Sequence, residues 1–184
     1  MKEMMLKSLI ISVIRKLGWH PQRCLTFASL VEGLIDQGSV QHHRLSKGFT
    51  HKITFKSKLE KIRRFFASQD IDPVQLSYEW LMQIYGKIPK MDLILDRTNW
   101  KFGETDINYL VLAARINSTI VFPIAWTLLP HQGNSDTDLR IKLLESFRKI
   151  FGFSCIRSFS ADREFIGNDW FDYLCKNNVP FLSE

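Results

Sequence analysis

Two aspartates, Asp96 and Asp162, each close a short apolar run and are each followed at once by arginine: Met91-Asp92-Leu93-Ile94-Leu95-Asp96-Arg97 and Phe159-Ser160-Ala161-Asp162-Arg163. A carboxylate at the carboxyl end of a buried strand is costly unless a cation or a hydrogen-bond network receives it. Two such ends in one α/β sheet can lie side by side, outside the strand ends where ligands of these sheets usually bind. Converging carboxylates suit a hard divalent cation, Mg²⁺ or Mn²⁺, which needs few protein ligands. Two ions about 3.5–4 Å apart can activate a water or a 3′-hydroxyl and stabilise the leaving oxygen. The pattern points to metal-assisted phosphoryl transfer. The bland alternative is local: each aspartate pairs with a nearby arginine or begins a turn.

Positioning both aspartates at one sheet edge requires a particular order of elements. Met91–Leu95 is a short apolar run suited to a buried strand, and Ile107–Ile116 and Thr119–Leu128 are longer β-rich runs joined at Asn117-Ser118. Asn134-Ser135-Asp136 supplies cap chemistry for a helix with Leu139, Leu143, Leu144, Phe147 and Phe151 on one face, closed by Gly152. Cys155–Ala161 is the next strand, 167–176 a further helix and Val179–Leu182 the last strand. The order β-β-β-α-β-α-β predicts a mixed α/β sheet, with the fourth strand parallel to the first and beside it.

The first half changes period. It predicts helices over roughly 2–17, 21–36, 55–67 and 72–86, with Gly18, Gly38 and Gly86 as stops and a polar loop over 39–54. Lys87-Ile88-Pro89-Lys90 reads as a linker, which gives a helical segment over 1–86, a linker over 87–90 and a sheet domain over 91–184. Charge follows the same division. Residues 1–90 carry 15 Lys+Arg against 7 Asp+Glu, and residues 91–184 carry 10 against 12. A basic segment joined to an acidic, cation-seeking domain suggests a nucleic-acid partner. On the helix over 55–67, Lys56, Lys58, Lys61, Arg63 and Arg64 could follow a phosphate backbone, or could simply keep a helix face solvated. Three cysteines at wide spacing, Cys24, Cys155 and Cys175, fit neither a disulfide scaffold nor a zinc module, and Cys155 and Cys175 read as buried thiols. No apolar run approaches membrane-spanning length and no cleavable leader is evident, so a cytoplasmic location with no membrane partner is expected.

The blocks around the aspartates resemble a known family. Asp96-Arg97-Thr98-Asn99-Trp100-Lys101-Phe102-Gly103, followed by Ile107-Asn108-Tyr109-Leu110-Val111-Leu112-Ala113, is similar to the first catalytic block of DDE transposases from bacterial insertion sequences of family four. Pro123–Leu129, then Gly133-Asn134-Ser135, resembles the strand and loop that follow it there. Ala161-Asp162-Arg163-Glu164-Phe165-Ile166-Gly167, with Trp170-Phe171, resembles the second block. The likeness runs from about residue 91 to 182, and the first half matches only in being helical and basic.

The resemblance implies an RNase H-like catalytic domain that cleaves and joins DNA at the terminal repeats of a mobile element with Mg²⁺ or Mn²⁺. It makes Asp96 and Asp162 the first two metal-binding carboxylates, puts Arg163 against DNA, and leaves Asn99 and Trp100 to support the first loop. It also allows a homodimer, or a dimer with an intact transposase. The family's third acid, a glutamate in a motif of spaced Tyr, Arg, Glu and Lys, has no counterpart here. Glu164 should diverge from Asp162, and Glu184 follows the last strand directly, so neither is assigned to the triad. A truncated catalytic domain, weakly active or inactive in strand cleavage, is therefore expected. The alternative is a non-catalytic DNA-binding fragment that competes with an intact enzyme.

Overall fold

The computed structural model describes residues 2–50, 52–68, 71–129 and 136–182, less the side chains of residues 2–4, 99, 100, 102, 106 and 182. The chain divides into two compact units, residues 1–72 and 73–184.

The first unit is helical: α1 (Lys2–Arg15), α2 (Pro21–Gln37), α3 (His42–Leu45) running into a 3-10 turn (Ser46–Gly48), and α4 (Phe55–Ala67). Local chemistry sets the ends of α2. His20 accepts the Gln22 amide, Pro21 occupies the first turn, and Gly38 takes the left-handed conformation (φ 56°) that lets its amide reach the Leu34 carbonyl. On α4 the Thr54 hydroxyl accepts the Ser57 amide. Leu30, Leu45, Phe49, Ile62 and Phe65 form a small core, with Trp19, Phe27 and Ile71 packed against it. The stretch expected as a loop over 39–54 thus contains α3 and the 3-10 turn, which bury Leu45, Ser46 and Gly48. Its polar composition hid two buried apolar anchors, Leu45 and Phe49.

The second unit opens with α5 (Pro73–Tyr85) and continues β1 (Met91–Phe102), β2 (Thr105–Arg115), β3 (Val121–Leu128), α6 (Thr137–Phe151), β4 (Ile156–Ala161), α7 (Asn168–Lys176) and β5 (Phe181–Leu182). The five strands form one mixed sheet in the order β3-β2-β1-β4-β5. β1, β2 and β3 are antiparallel neighbours, and β4 runs parallel to both β1 and β5. Pro123 is accommodated because β3 is an edge strand. Asp136 caps α6 by accepting the Leu139 amide at 2.7 Å, while Gly133, Asn134 and Ser135 lie outside the described residues.

Alternation sorts the sheet into two faces. Leu93 and Leu95 of β1, Leu110 and Leu112 of β2 and Ile124 of β3 are buried in one core with Val74 and Leu81 of α5, Leu144 and Phe147 of α6, and Trp170 and Leu174 of α7. Asp92, Ile94 and Asp96 take the intervening positions of β1. On β3, Val121, Trp126 and Leu128 are exposed.

Two boundaries differ from expectation. Helix α5 belongs to the sheet unit and not to the basic segment, because Val74, Leu81 and Tyr78 pack into the sheet core and the Tyr78 ring meets Phe151 edge-on at 5.4 Å. β1 does not stop at Leu95. It continues to Phe102 and turns back through Gly103 (φ 63°) into β2, so Asp96 faces Val111 in the middle of a hairpin. Of the two thiols expected to be buried, Cys155 is, whereas Cys175 lies on the exposed side of α7.

Candidate active site

Asp96 and Asp162 reach the same place by different routes. The parallel ladder between β1 and β4 runs from Met91↔Ile156 to Leu95↔Ala161, and each aspartate is the next residue beyond that last pair. Neighbouring strands lie about 4.8 Å apart, so the two Cα atoms are near neighbours. Asp96 is carried there by a strand that continues past its parallel partner, and Asp162 by the strand end itself. Both aspartates line one open cleft of about 420 Å³, together with Ile94, Arg115, Ser158 and Ser160.

The two carboxylates are held in the same way. Asp96 Oδ1 accepts the amide of Arg97 at 2.7 Å, and Asp162 Oδ1 accepts the amide of Arg163 at 2.6 Å. Both aspartates are exposed, and the Oδ2 atoms make no hydrogen bond among the described residues. The local pairing of each aspartate with its following arginine does not occur through the side chains. Arg97 instead crosses to Glu164: its Nε and one terminal nitrogen donate to Oε1 and Oε2, both at 2.8 Å. Both partners are about four-fifths buried, at 20% and 21% side-chain exposure. This fork ties the segment after Asp96 to the segment after Asp162, and it commits Glu164 away from the cleft. Arg163 is exposed beside Asp162.

Further groups stiffen the surroundings. Arg140 of α6 is buried with its guanidinium 5.6 Å from the Phe165 ring and 5.8 Å from Trp170. Burial pushes its pKa down, against the pull of Asp136 and Glu164. Trp170 meets Phe159 edge-on at 5.9 Å, and so seats α7 on the strand that leads to Asp162. Two residues before Ile94, Asp92 gathers Arg157 (2.8 Å to each carboxylate oxygen), Ser158 (2.7 Å) and Arg115 (3.4 Å). The Arg157 guanidinium above all, then Ser158 and Arg115, hold Asp92 well below the usual carboxylate range despite its burial.

Asp92 and the Arg97–Glu164 fork are the features that sequence reasoning missed. Alternation could have signalled Asp92, which shares the Asp96 face two positions before Ile94. Nothing local signals the fork, which joins residues 67 positions apart. The side chains of Asn99 and Trp100 and all of Glu184 lie outside the described residues.

The five cations expected on α4 separate. Lys56, Arg63 and Arg64 are exposed, and Arg64 pairs with Glu60 at 3.0 Å. Lys58 turns inward and donates to the Phe49 carbonyl at 2.5 Å, which makes it a brace for the preceding turn. Lys61 is half-buried.

Among the described residues, no three His, Cys, Asp or Glu side chains converge as a metal site. The aspartate pair therefore offers two carboxylates of hard oxygen, enough for an ion that keeps most of its waters. No helix among the described residues is long and apolar enough to cross a membrane. Compared with protein-family models, with curated proteins and with solved structures, the chain matches none.

Proposed function

We propose that the sheet unit carries out metal-assisted phosphoryl transfer on DNA, as a DDE transposase of the bacterial insertion-sequence type with an RNase H-like domain. The observation that carries this is the register: Asp96 and Asp162 both follow directly on the last pair of one parallel ladder and line one cleft. The strand order, three antiparallel strands and then two parallel to the first, fits an RNase H-like sheet.

Asp96 and Asp162 would hold Mg²⁺ or Mn²⁺ through their oxygens. When bound, the ion supplies Lewis acidity toward a phosphoryl oxygen and a more acidic water. The chain's own groups do the positioning. The Arg97 and Arg163 amides orient the two carboxylates, and the Arg97–Glu164 fork ties strand β1, which bears Asp96, to the segment that follows Asp162. Arg163, exposed next to Asp162, is suited to a DNA phosphate. A third carboxylate would have to come from outside the described residues, since Glu164 is engaged by Arg97. Strand cleavage by these residues alone should accordingly be slow.

A second reading draws on the same engagement of Glu164: a non-catalytic protein that binds insertion-sequence ends, alone or paired with an intact transposase. Nicking of supercoiled DNA in Mn²⁺ separates the two. Slow nicking that EDTA and Asp96→Asn both abolish supports phosphoryl transfer. Tight binding of element ends with no nicking supports the competitor, and RNA–DNA hybrid cleavage without preference for element ends would point to a different RNase H-like nuclease.

A further inference from the structure

The positive charge of the helical unit is concentrated in one stretch. Residues 1–72 carry 13 Lys+Arg against 6 Asp+Glu, a surplus of seven. Residues 39–67 alone carry 8 against one acid, Glu60, so these 29 residues hold the whole surplus. They span α3, the 3-10 turn and α4. We infer that the nucleic-acid surface of this unit is built from two elements, α3 with its 3-10 turn and α4, and not from α4 alone. The inference rests on the DNA-binding reading above.

Two contacts join the two elements, and a third set seats the turn on α2. The imidazole of His42, on α3, stacks on Phe66, on α4, with centroids 5.6 Å apart and rings 6° from parallel. Phe66 follows Lys56 and Arg63 at helical spacing, so α3 lies along the side of α4 that carries those exposed cations. Lys58 holds the Phe49 carbonyl at the end of the 3-10 turn. Two glycines then press the turn onto α2: a Cβ at Gly48 would overlap the Ser29 carbonyl oxygen, and one at Gly33 the carbonyl of Leu45. Backbone lies on backbone there, which fixes the segment carrying the exposed Arg44 and Lys47 against α2.

A fixed array of cations on a rigid surface matches a phosphate backbone, where each neutralised phosphate releases counterions. It does not match a lipid surface. Membrane-lying helices present a continuous apolar face to the bilayer, whereas α4 spends Ile62 and Phe65 on the unit's own core and leaves only two large apolar side chains exposed, Phe55 and Phe66, with Phe66 covered on one side by His42.

The test is fluorescence anisotropy of the full chain with a mixed-sequence DNA duplex between about 50 and about 200 mM salt. The variants are R44A/K47A on α3 and its 3-10 turn and K56A/R63A on α4, all exposed positions at which the melting temperature should stay at the wild-type value. Each pair should weaken binding about fivefold or more, and lower the slope of log affinity against log salt by about 1 per cation removed. If K56A/R63A weakens binding while R44A/K47A changes neither affinity nor slope, the two-element surface is overturned and DNA binding by α4 stands. If the wild-type chain does not bind the duplex, the DNA-binding reading itself fails. Wild-type binding to phosphatidylserine vesicles that DNA does not compete away would assign the surface to membrane and overturn the inference.

Discussion

Asp92, Asp96 and Asp162 show how three carboxylates in one small region acquire different fates. Asp92 is enclosed by Arg157, Ser158 and Arg115, whereas the other two each accept a single backbone amide. A carboxylate saturated with strong donors is a structural fastener, and one with an unengaged oxygen is a candidate ligand. Asp92→Asn should destabilise the protein by about 2 kcal/mol at neutral pH, less than for a fully buried pair because Arg157 and Arg115 are half exposed. The pH dependence follows from the depressed carboxyl. Its stabilisation is fully present above the unfolded value of about 4 and is lost as pH falls toward the folded value. Chemical denaturation of the wild type should therefore show stability declining from about pH 5 downward, and Asp92→Asn should flatten that decline. Equal slopes in both proteins would remove Asp92 from the account. The two outer aspartates were legible in the sequence because each closes an apolar run. The assignment of Asp92 was not, because its partners come from β2 and β4 and only the sheet brings them together.

Loops and strands decide how firmly the aspartate pair is presented. β1 extends through Asp96 because Thr98 to Phe102 pairs with Thr105 to Tyr109, so the Asp-Arg-Thr-Asn stretch, which looks like a turn, is strand. Turn-favouring residues were overridden by cross-strand pairing, which local sequence does not reveal. The helices were more readable, since the first-turn Pro21 and the caps at Gly38, Asp136 and Gly152 are local chemistry. The Arg97–Glu164 fork joins β1 to the segment after β4 by side chains alone. Glu164→Gln should loosen the 162–167 segment and weaken divalent-ion binding at the pair severalfold, with a modest loss of thermal stability of about 1 kcal/mol. The charge exchange R97E/E164R should recover part of the ion binding. Unchanged ion affinity in Glu164→Gln would mean that the fork does not position the site.

At the scale of the whole chain, composition divided the protein correctly into a basic half and a mixed half, but it put the boundary one helix too late. Pro73–Tyr85 looked like another helix of a helical segment. Its apolar positions, Val74 and Leu81, are completed by the sheet core and not by the other helices. A fragment beginning at Pro73 should melt cooperatively, and one beginning at residue 87 should not, because it loses those core side chains, worth about 2–5 kcal/mol each on truncation. Circular dichroism melts of the two fragments would decide. A cooperative melt from the shorter one would restore the boundary at the linker. Asymmetric charge fits this division, since the surplus of seven lies within the helical unit, whereas the cleft of the sheet unit is lined by Asp96 and Asp162.

Joint ion binding by Asp96 and Asp162 is tested most directly by Mn²⁺ titration followed by electron paramagnetic resonance, on the wild type, Asp96→Asn, Asp162→Asn and the double variant. A shared ion predicts saturable wild-type binding, a loss of about tenfold or more in each single variant, and a double variant little worse than either single one. Wild-type protein that binds no Mn²⁺, or two substitutions whose effects are absent or simply additive, would contradict a metal held between these strands.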